Sequence, residues 1–516
     1  MRWIHPLTAR TEESADVLGG KGRGLVALLR LGLPVPAGFV VDVRACRAYL
    51  RDGRFPDGLE AELAAAVHGL ETATGRRFGG GGRPLTVSVR SGAAVSMPGM
   101  MSTVLDLGLT AAATAAQAAE TGDPALAHAA RRRFLRSFAA ASGTDAAAVP
   151  DDAASQLRAA VAAVFSSWHS PRATTYRELH GIPHDLGTAV IVQAMVFGDR
   201  DERSGSGVAF SRDPNTGART PFGDVLFGRQ GDDVVSGHFT PRPLADLADG
   251  EPAVWERLTA ALRHIERHYR DACHVEFTYE SGDLWFLQVR PGGLTGRAAV
   301  RVAVDLADEG LIDRGTALRR ISTRHLDAAR TPRLDTGGGI DLLTRGRGAC
   351  PGVASGRIAV TADRAARMAA GGPVILVRPT TSPLDMHGLA AAAGVVTSRG
   401  GPAGHAAVVA RAMGKAAVVD AAGLTVDVAA GCVRVGGRAV PEGTTVTIDG
   451  TGGEVVIGER RAAAPAADGH LRRLLDWADE ISGDPSRRPD RDRLSAAHAR
   501  LERARPGRTG NVGAGG

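Results

Sequence analysis

The stretch SRGGPAGHAAVVARAMGKAAVV, residues 398–419, contains one histidine, His405, which follows a glycine turn and opens an apolar helical pattern. The preceding run AAAGVVTS is typical of a strand, and the GK after the pattern is typical of a helix end. The sequence therefore predicts a strand, a tight turn and a helix with His405 at its amino terminus. Unpaired N–H groups and the positive end of the helix dipole favour an anion there.

A histidine in this setting can carry a phosphoryl group. Gly400 and Gly401 let the backbone approach phosphate oxygens closely, and a helix amino terminus stabilises the negative charge. The same dipole lowers the pKa of the imidazolium, which leaves the imidazole neutral and nucleophilic. A polar cap without chemistry is the alternative, and the pattern alone leaves that choice open.

The bulk composition is that of an ordinary globular protein. The 516 residues are 44% hydrophobic and 23% charged, which fits two to four domains. No stretch reaches the roughly 18 unbroken apolar residues of a membrane span, and the first residues lack a signal-peptide core. Four cysteines without CxxC spacing indicate reduced thiols. We expect a cytoplasmic protein without a membrane partner.

The net positive charge of the chain does not indicate nucleic-acid binding. The net charge is +6 and the pI about 9.6, but basic residues are spread along the chain and aromatic residues make up only 4%. No helix-turn-helix or zinc-finger pattern is present. Only Lys21 and Lys415 are lysines, so each marks a place that suits a compact ammonium or has survived by chance.

Periodicity and composition predict an α/β fold, more fully an α+β multidomain chain. Strands are predicted within 32–41, 84–92, 188–198 and 283–292, and helical patterns within 110–142 and 153–168. The predicted parts are a large α/β unit (1–330), a linker (331–346), a compact unit of short strands (347–459), and a final segment (460–516) that holds an amphipathic helix and a tail disordered from residue 484.

Several stretches together resemble the pyruvate, phosphate dikinase family. Besides 398–419, which resembles its phosphohistidine signature, they are LGGKGRGLVALLRLGLPVPAGFVV (18–41), SVRSGAAVSMPGMMSTVLDLGL (88–109), VQAMVFGDRDERSGSGVAFSRDPNTG (192–217), RQGDDVVSGHFTPRPL (229–244) and EFTYESGDLWFLQVRPGGLTGRAAVRVAVDLADEGLID (276–313). The resemblance implies an ATP-grasp nucleotide-binding domain over 1–330. It also implies a swivelling β/β/α phosphohistidine domain over 347–459.

The same resemblance implies roles for individual residues. His405 would be the catalytic phosphoryl carrier, and ATP would be bound with Mg²⁺ as cofactor. The nucleotide and its phosphates would contact Lys21, Arg90, Asp233, Glu276, Gln288 and Arg290. Of these, Glu276 and Gln288 would hold the metal, because hard oxygen ligands suit a hard cation.

The chain departs from the family pattern at some of these positions. Ala403 and Pro402 replace the usual Thr and Met before the histidine, so a hydroxyl donor and the site of the family's regulatory modification are lost. His274 replaces an acid two residues before Glu276, which predicts weaker metal binding. Elsewhere, Asp232 stands for the glutamate of QGED and Ser102 for an aspartate.

We expect this sequence to lack the family's phosphoenolpyruvate/pyruvate barrel. A (β/α)₈ barrel needs about 250 residues, whereas 516 − 459 = 57 residues follow the second unit. The implied reaction is that ATP and inorganic phosphate load a phosphoryl group on His405, giving AMP and pyrophosphate. Pyruvate or another acceptor would then lie on a separate chain, either a barrel subunit or a second copy.

Two other functions stay open at this stage. A non-catalytic or regulatory dikinase fragment that binds nucleotide is favoured by Ala403 and His274. The third hypothesis is a small-molecule dikinase of the antibiotic-phosphorylating type. The lack of an acceptor domain inserted between the two units speaks against it.

Overall fold

The computed structural model shows a multidomain α/β chain, which confirms the predicted fold class. The structure describes residues 2–95, 97, 99–231, 233, 239–294, 296–330, 332–335, 339–463 and 468–504. Within these ranges, no helix combines the length and the apolar character needed to cross a membrane.

Helices and strands alternate through most of the chain. The helices are α1 (Ala15–Arg30), α2 (Val43–Asp52), α3 (Leu59–Thr74), α4 (Ala111–Thr121), α5 (Pro124–Ser142), α6 (Ala153–Ser166), α7 (Pro171–His180), α8 (Leu247–Gly250), α9 (Pro252–Tyr269), α10 (Gly296–Asp308), α11 (Arg314–Arg320), α12 (Thr323–Ala329), α13 (Ala362–Ala369), α14 (Met386–Ala391), α15 (His405–Met413), α16 (Gly469–Ser482) and α17 (Asp490–Arg503). Short 3-10 turns lie at Ala146–Ala148, Ser167–His169, Leu244–Asp246 and Pro383–Asp385.

In the described part of the chain, the strands form three larger sheets and three small ones. They are β1 (Ile4–Pro6), β2 (Gly38–Val41), β3 (Arg77–Phe78), β4 (Pro84–Leu85), β5 (Val87–Gly92), β6 (Thr103–Leu107), β7 (Ala189–Ala194), β8 (Gly205–Phe210), β9 (Phe222–Phe227), β10 (Arg242–Pro243), β11 (Cys273–Glu280), β12 (Asp283–Pro291), β13 (Arg333–Leu334), β14 (Leu342–Arg345), β15 (Arg347–Cys350), β16 (Val353–Ala359), β17 (Val374–Arg378), β18 (Gly394–Thr397), β19 (Ala416–Val419), β20 (Leu424–Asp427), β21 (Cys432–Val435), β22 (Arg438–Pro441), β23 (Thr445–Asp449), β24 (Glu454–Ile457) and β25 (Ala462–Ala463).

The first large sheet is antiparallel and has the order β1-β2-β7-β5-β6. Its apolar face packs against α5 and α6, where Phe134 and Val161 are fully buried. The helical pattern predicted over 110–142 forms two helices, because Gly122 turns the chain with a φ of 68° and Asp123 caps the next helix.

The second large sheet is also antiparallel, with the order β10-β9-β8-β11-β12. Helix α1 packs closely on β12. A Cβ added at Gly24 would lie 3.1 Å from the Val289 side chain. Leucines of α1 and Ile265 of α9 share the buried core with Phe277 and Phe286 of this sheet. The packing brings the glycine-rich start of α1 beside the ends of β5 and β12.

The third large sheet is mixed and eight-stranded, with the order β14-β24-β23-β16-β17-β18-β19-β15. Strands β16, β17, β18 and β19 are parallel and carry α13, α14 and α15 in their crossovers. The short strands predicted for this part of the chain are confirmed. A three-stranded sheet, β20-β21-β22, shares a buried apolar core with it.

The segment predicted as a linker, 331–346, contains two short strands. β13, which follows α12, pairs with β25, which precedes α16, in a small two-stranded ribbon. β14 joins the eight-stranded sheet by pairing with β24. The linker assignment of 331–346 stays a prediction, and its described part is ordered in strands at Arg333–Leu334 and Leu342–Arg345. Its glycines at 337 and 338 lie outside the described residues.

The carboxyl-terminal tail is also corrected, because α17 is helical where disorder was predicted. Its charged residues face outward, while Leu494 and Ala497 are fully buried against α11, α12 and α16. Within this arginine-rich sequence, apolar residues recur at intervals of three and four, which is typical of a helix that packs one face against the core. Residues 505–516 lie outside the described part of the chain.

Candidate functional site

The glycine-rich start of α1 packs directly on the end of β5. Gly19 has a φ of 69°, and a Cβ there would overlap the Gly92 carbonyl oxygen. The Gly20 N–H donates to the Ala93 carbonyl oxygen at 3.0 Å. Only glycine permits this close approach, and it places Lys21 against Gly92.

Arg90 lies on β5 and joins the two antiparallel sheets. Its side chain is buried, and Nη2 donates to the Gln193 side chain on β7 and to the Leu287 carbonyl oxygen on β12, the latter at 3.1 Å. Burial lowers the pKa of this guanidinium. A buried cation between two sheets is suited to an anionic ligand.

Glu276 and Gln288 face each other across the β11–β12 hairpin. Arg290 lies beside both residues, with its Nη2 4.0 Å from Glu276 Oε1. With its amide oxygen turned toward Arg290, Gln288 accepts from Nη2 at 2.6 Å. The structure therefore brings together five of the six predicted nucleotide-site residues, since Lys21 and Arg90 interact electrostatically with Glu276.

Positive charges outnumber negative ones in this cleft. Burial and the neighbouring charges of Arg90 and Arg290 lower the pKa of Lys21 to about 7, although Glu276 opposes the shift. Burial would raise the pKa of Glu276, but Arg290 and Lys21 outweigh it and hold that pKa below its usual value. Such a cluster gains from a polyphosphate, because the anion relieves repulsion among the cations.

The donor set of the cleft fits a magnesium ion carried by phosphates. No cluster of three His, Cys, Asp or Glu side chains that could hold a metal occurs among the residues the structure describes. Mg²⁺ is typically held by one or two carboxylates together with substrate phosphates and water. Glu276 and the Gln288 amide oxygen suit that arrangement, whereas a closed protein cage is not built here.

His274 adds no negative charge to the cleft. It lies opposite Arg290 in the strand register and stacks on Phe210, with ring centroids 4.4 Å apart. Burial and the charge of Arg290 lower its pKa to about 3, so the ring stays neutral. The carboxylate expected at this position is thus replaced by a neutral, stacked ring.

Asp233 is the sixth predicted nucleotide-site residue, and its role stays a prediction. Its N–H donates to the Gln230 carbonyl oxygen at 3.1 Å. The Gln230 side chain in turn accepts from the Gly198 N–H at 2.7 Å. Asp232 and residues 234–238 lie outside the described residues.

His405 is the first residue of α15, as the sequence predicts. Gly404 provides the cap position without a side-chain bond, and the imidazole Nδ1 lies 3.1 Å from Thr381 Oγ1. Nε2 is buried and has no hydrogen-bond partner among the described residues. Burial lowers the pKa of His405, although the Asp385 carboxylate opposes the shift. The ring is therefore neutral at neutral pH, and Nε2 is the ring nitrogen that makes no hydrogen bond to a described residue.

Sequence reasoning missed Thr381, which supplies a hydroxyl to the histidine. A hydroxyl therefore lies beside the imidazole from another element of the fold, although Ala403 supplies none. The only sequence signal is the run TTS (380–382), which follows the apolar strand β17. Hydroxyl residues at a strand end can bind phosphate or simply form a turn, and the pattern does not separate the two.

Ala403 contacts the second sheet instead of facing solvent. Its methyl group is buried against Val208 and Leu226. Its N–H donates to Asp224 Oδ2 at 2.8 Å, and Asp224 Oδ1 also accepts from Arg347 at 3.2 Å. This contact seats the histidine turn on the β8–β9 hairpin and explains why a small apolar side chain occurs at 403.

The segment that follows β5 connects the cationic cleft with the histidine. The Ala93 carbonyl oxygen accepts the hydrogen bond from the N–H of Gly20, the residue before Lys21 in α1. Six residues later, a Cβ on Gly99 would lie 3.8 Å from His405 Cδ2. Met100 and Met101 pack in one buried cluster with Ala406 of α15. The described residues of 93–102 thus contact both sites.

Comparison with protein families identifies two matching domains. Residues 48–248 match the pyruvate phosphate dikinase, AMP/ATP-binding domain. Residues 371–453 match the PEP-utilising enzyme, mobile domain, which includes His405.

Individual relatives match nearly the whole chain. Pyruvate, phosphate dikinase of Rhizobium meliloti is 38% identical over 93% of this chain and 60% of its own length. Pyruvate, phosphate dikinase 2 of Zea mays is 40% identical over 90% of this chain and 58% of its own length. The Clostridium symbiosum enzyme is 36% identical over 93% and 60%, respectively. This chain thus spans about three fifths of the length of these relatives.

Proposed function

Because this chain is related to the pyruvate, phosphate dikinases along most of its length, we propose that it is a phosphotransferase of that kind. In the proposed reaction, ATP and inorganic phosphate load a phosphoryl group on His405 and release AMP and pyrophosphate. The group then passes to pyruvate or another acceptor. That acceptor lies on a separate chain, either a barrel subunit or a second copy.

The observation that carries this proposal is the shared segment 93–102. Its described residues contact Gly20, beside Lys21 in α1, at one end and the His405 helix at the other. A nucleotide held by Lys21, Arg90 and Arg290 therefore lies next to the segment that also covers the histidine. Such proximity is the main requirement of phosphoryl transfer, in which positioning and charge neutralisation provide most of the catalysis.

The loading reaction consists of two displacements. In the first, His405 Nε2 attacks the β-phosphorus of ATP, the bridging bond to the α-phosphate breaks, and AMP leaves. In the second, an oxygen of inorganic phosphate attacks the terminal phosphorus of the pyrophosphoryl group. The bridging bond between the two phosphorus atoms then breaks, pyrophosphate leaves, and a phosphoryl group stays on Nε2.

Thr381 and burial together prepare the nucleophile. A neutral imidazole whose Nδ1–H donates to Thr381 Oγ1 leaves the lone pair on Nε2. Lys21, Arg90 and Arg290 would contact the phosphates and stabilise charge that develops on them. When bound by Glu276 and Gln288, Mg²⁺ supplies further neutralisation of the phosphate oxygens.

The second half of the reaction requires the histidine unit to leave the β8–β9 hairpin. The ribbon formed by β13 and β25 is the connection about which this unit would turn. A phosphoryl group on His405 would then be exposed to a separate acceptor. Loss of the Ala403–Asp224 contact is the change that such a motion needs.

A product analysis tests the loading reaction. The full chain is incubated with ATP, Mg²⁺ and phosphate, and nucleotides and pyrophosphate are quantified. We expect AMP and pyrophosphate in equal amounts, up to one per chain without an acceptor. The variant H405A should release neither, whereas H387A, which removes an exposed histidine of the same unit, should match the wild type. ADP as the only product would contradict the proposal.

A nucleotide-binding protein without turnover is the second candidate. It is favoured by the single carboxylate of the described cleft, since His274 replaces the acid that a stronger metal site would use. Saturable ATP binding with no AMP under the conditions above would establish this candidate, and AMP formation would exclude it.

A further inference from the structure

We propose that Thr397 and Arg399 hold the phosphoryl group that His405 carries, so that the end of strand β18 forms a phosphate-binding cradle. This inference rests on the proposed function and names further residues of the same site. Thr397 is the last residue of β18, and Arg399 follows two positions later. Neither residue belongs to the set predicted from the sequence.

The main observation is a buried hydroxyl without a partner. Thr397 is 1% exposed, and its Oγ1 makes no hydrogen bond to any residue the structure describes. Leaving a buried hydroxyl unsatisfied costs folding free energy. The two preceding residues, Val395 and Val396, are buried valines, so a valine at 397 would fit the strand without that cost. A threonine at this position is explained if a ligand accepts the missing hydrogen bond from its hydroxyl.

The cavity that Thr397 lines is also lined by the histidine. Its other walls include Thr380, Arg399 and Gly401, and its interior volume is only about 10 Å³, so a phosphoryl group would fill it and extend into the open mouth. Nε2 of His405 is the second buried polar atom here without a partner in the described residues. One phosphoryl group on Nε2 could therefore satisfy two unpaired atoms, the nitrogen by the covalent bond and the hydroxyl by accepting its proton.

The charges around the cavity agree with an anionic occupant. Arg399 is exposed at the rim and forms no ion pair within the described part of the chain. The first turn of α15 adds N–H groups that have no acceptor within the helix. Gly400, with a φ of 100°, leaves the mouth free of a side chain. A dianionic phosphoryl group would be held by one hydroxyl, one guanidinium and backbone amides.

The test measures the ionisation of the phosphoryl group itself. The full chain is loaded at His405 with ATP, Mg²⁺ and phosphate or, independently of ATP, with phosphoramidate, which gives up its phosphoryl group to an imidazole nitrogen and releases ammonia. Phosphorus NMR then follows the resonance that is missing in H405A as the pH is changed. Donors that favour the dianion lower the pKa of this group.

We expect T397V to raise that pKa by about one unit relative to the wild-type chain. Its melting temperature before loading should equal or exceed that of the wild type, because the hydroxyl it removes has no partner. T447V is the matched control. Its hydroxyl is bonded to Ser355, the Gly458 carbonyl oxygen and the Arg460 N–H, so it should melt lower but leave the phosphoryl pKa unchanged.

An unchanged phosphoryl pKa in T397V would overturn the proposal. If T397V fails to fold, R399Q, with an exposed side chain, decides in the same way: a raised pKa supports the cradle, and an unchanged one overturns it. A chain labelled by phosphoramidate but not by ATP would refute the proposed function while the titration still tests the cradle. A chain that neither reagent labels at His405 overturns both.

Discussion

The cleft around Lys21 and the cavity beside His405 are both proposed to hold phosphate, yet they are built from different groups. Three cations face one carboxylate in the cleft, and burial, together with repulsion among the cations, lowers the pKa of Lys21. The cavity instead offers hydroxyls, glycines, a helix amino terminus and one exposed arginine. The difference fits their tasks: a cleft must draw a highly charged nucleotide from water, while a carrier must also release its phosphoryl group.

The largest expected effect comes from removing the buried cation of the cleft. R90M deletes the guanidinium that lies between the two sheets, and two charge-assisted contacts to phosphate would be lost with it. ATP affinity should fall about 100-fold, measured by calorimetry. R132M removes an exposed arginine of α5 and should bind as the wild type does. Equal affinities for R90M and the wild type would show that the cleft is not the nucleotide site.

The pH dependence of binding tests the charge imbalance of the cleft. Lys21 has a pKa of about 7 in the free protein, and a bound polyphosphate raises it. Below pH 7 the ammonium is already charged, so affinity is level; above pH 7 binding must take up a proton. ATP affinity should therefore fall by up to about tenfold per pH unit above neutrality.

K21R is the control for this pH effect, because a guanidinium stays charged throughout the range. Its affinity should be nearly level from pH 7 to pH 9 in the same calorimetric titration. An equally steep fall in K21R would assign the dependence to another group.

The cavity is tested by the hydroxyl that orients the imidazole. T381V removes the partner of His405 Nδ1 at 3.1 Å, so the ring loses its fixed orientation and tautomer. AMP release should slow about tenfold, while ATP affinity stays unchanged. T381S keeps a hydroxyl and should restore most of the rate. A T381V chain that is as fast as the wild type would remove Thr381 from the site.

The smallest effect on AMP release is expected at Ala403, where the turn before His405 packs on the second sheet. A403T adds a branched polar side chain to the buried contact with Val208 and Leu226, and overpacking weakens such contacts. AMP release should slow a few-fold without a change in ATP affinity. A393T, at an exposed position of the same unit, is the control. Faster release in A403T than in the wild type would contradict the seated arrangement.

Local patterns predicted the elements of both regions better than their contacts. The glycine-rich segment before Lys21 and the helix start at His405 are properties of neighbouring residues; in the structure the first forms a kink at Gly19 within α1, and the second begins α15. The link between Thr381 and His405 depends on the order of parallel strands in the sheet. The bond between Asp224 and Ala403 joins residues 179 positions apart, and no short pattern encodes such a distance.

Composition is a poor guide to structure where charge and packing conflict. The tail at 490–503 is rich in arginine and aspartate, which is typical of disorder. Its helix is nevertheless held by Leu494 and Ala497, and by an ion pair between Arg491 and Asp327 at 2.5 Å. Likewise, the glycines near 337 suggested a linker, whereas Leu342–Arg345 forms a strand because β24 pairs with it.

The path of the β-phosphate of ATP tests the central claim most directly. The full chain is incubated with phosphate, Mg²⁺ and ATP labelled at either the β- or the γ-phosphorus, and the peptide that contains His405 is isolated under alkaline conditions. We predict that the β-label stays on His405 and that the γ-label leaves in pyrophosphate. A γ-label on His405, or no label on this residue with either nucleotide, would contradict the account.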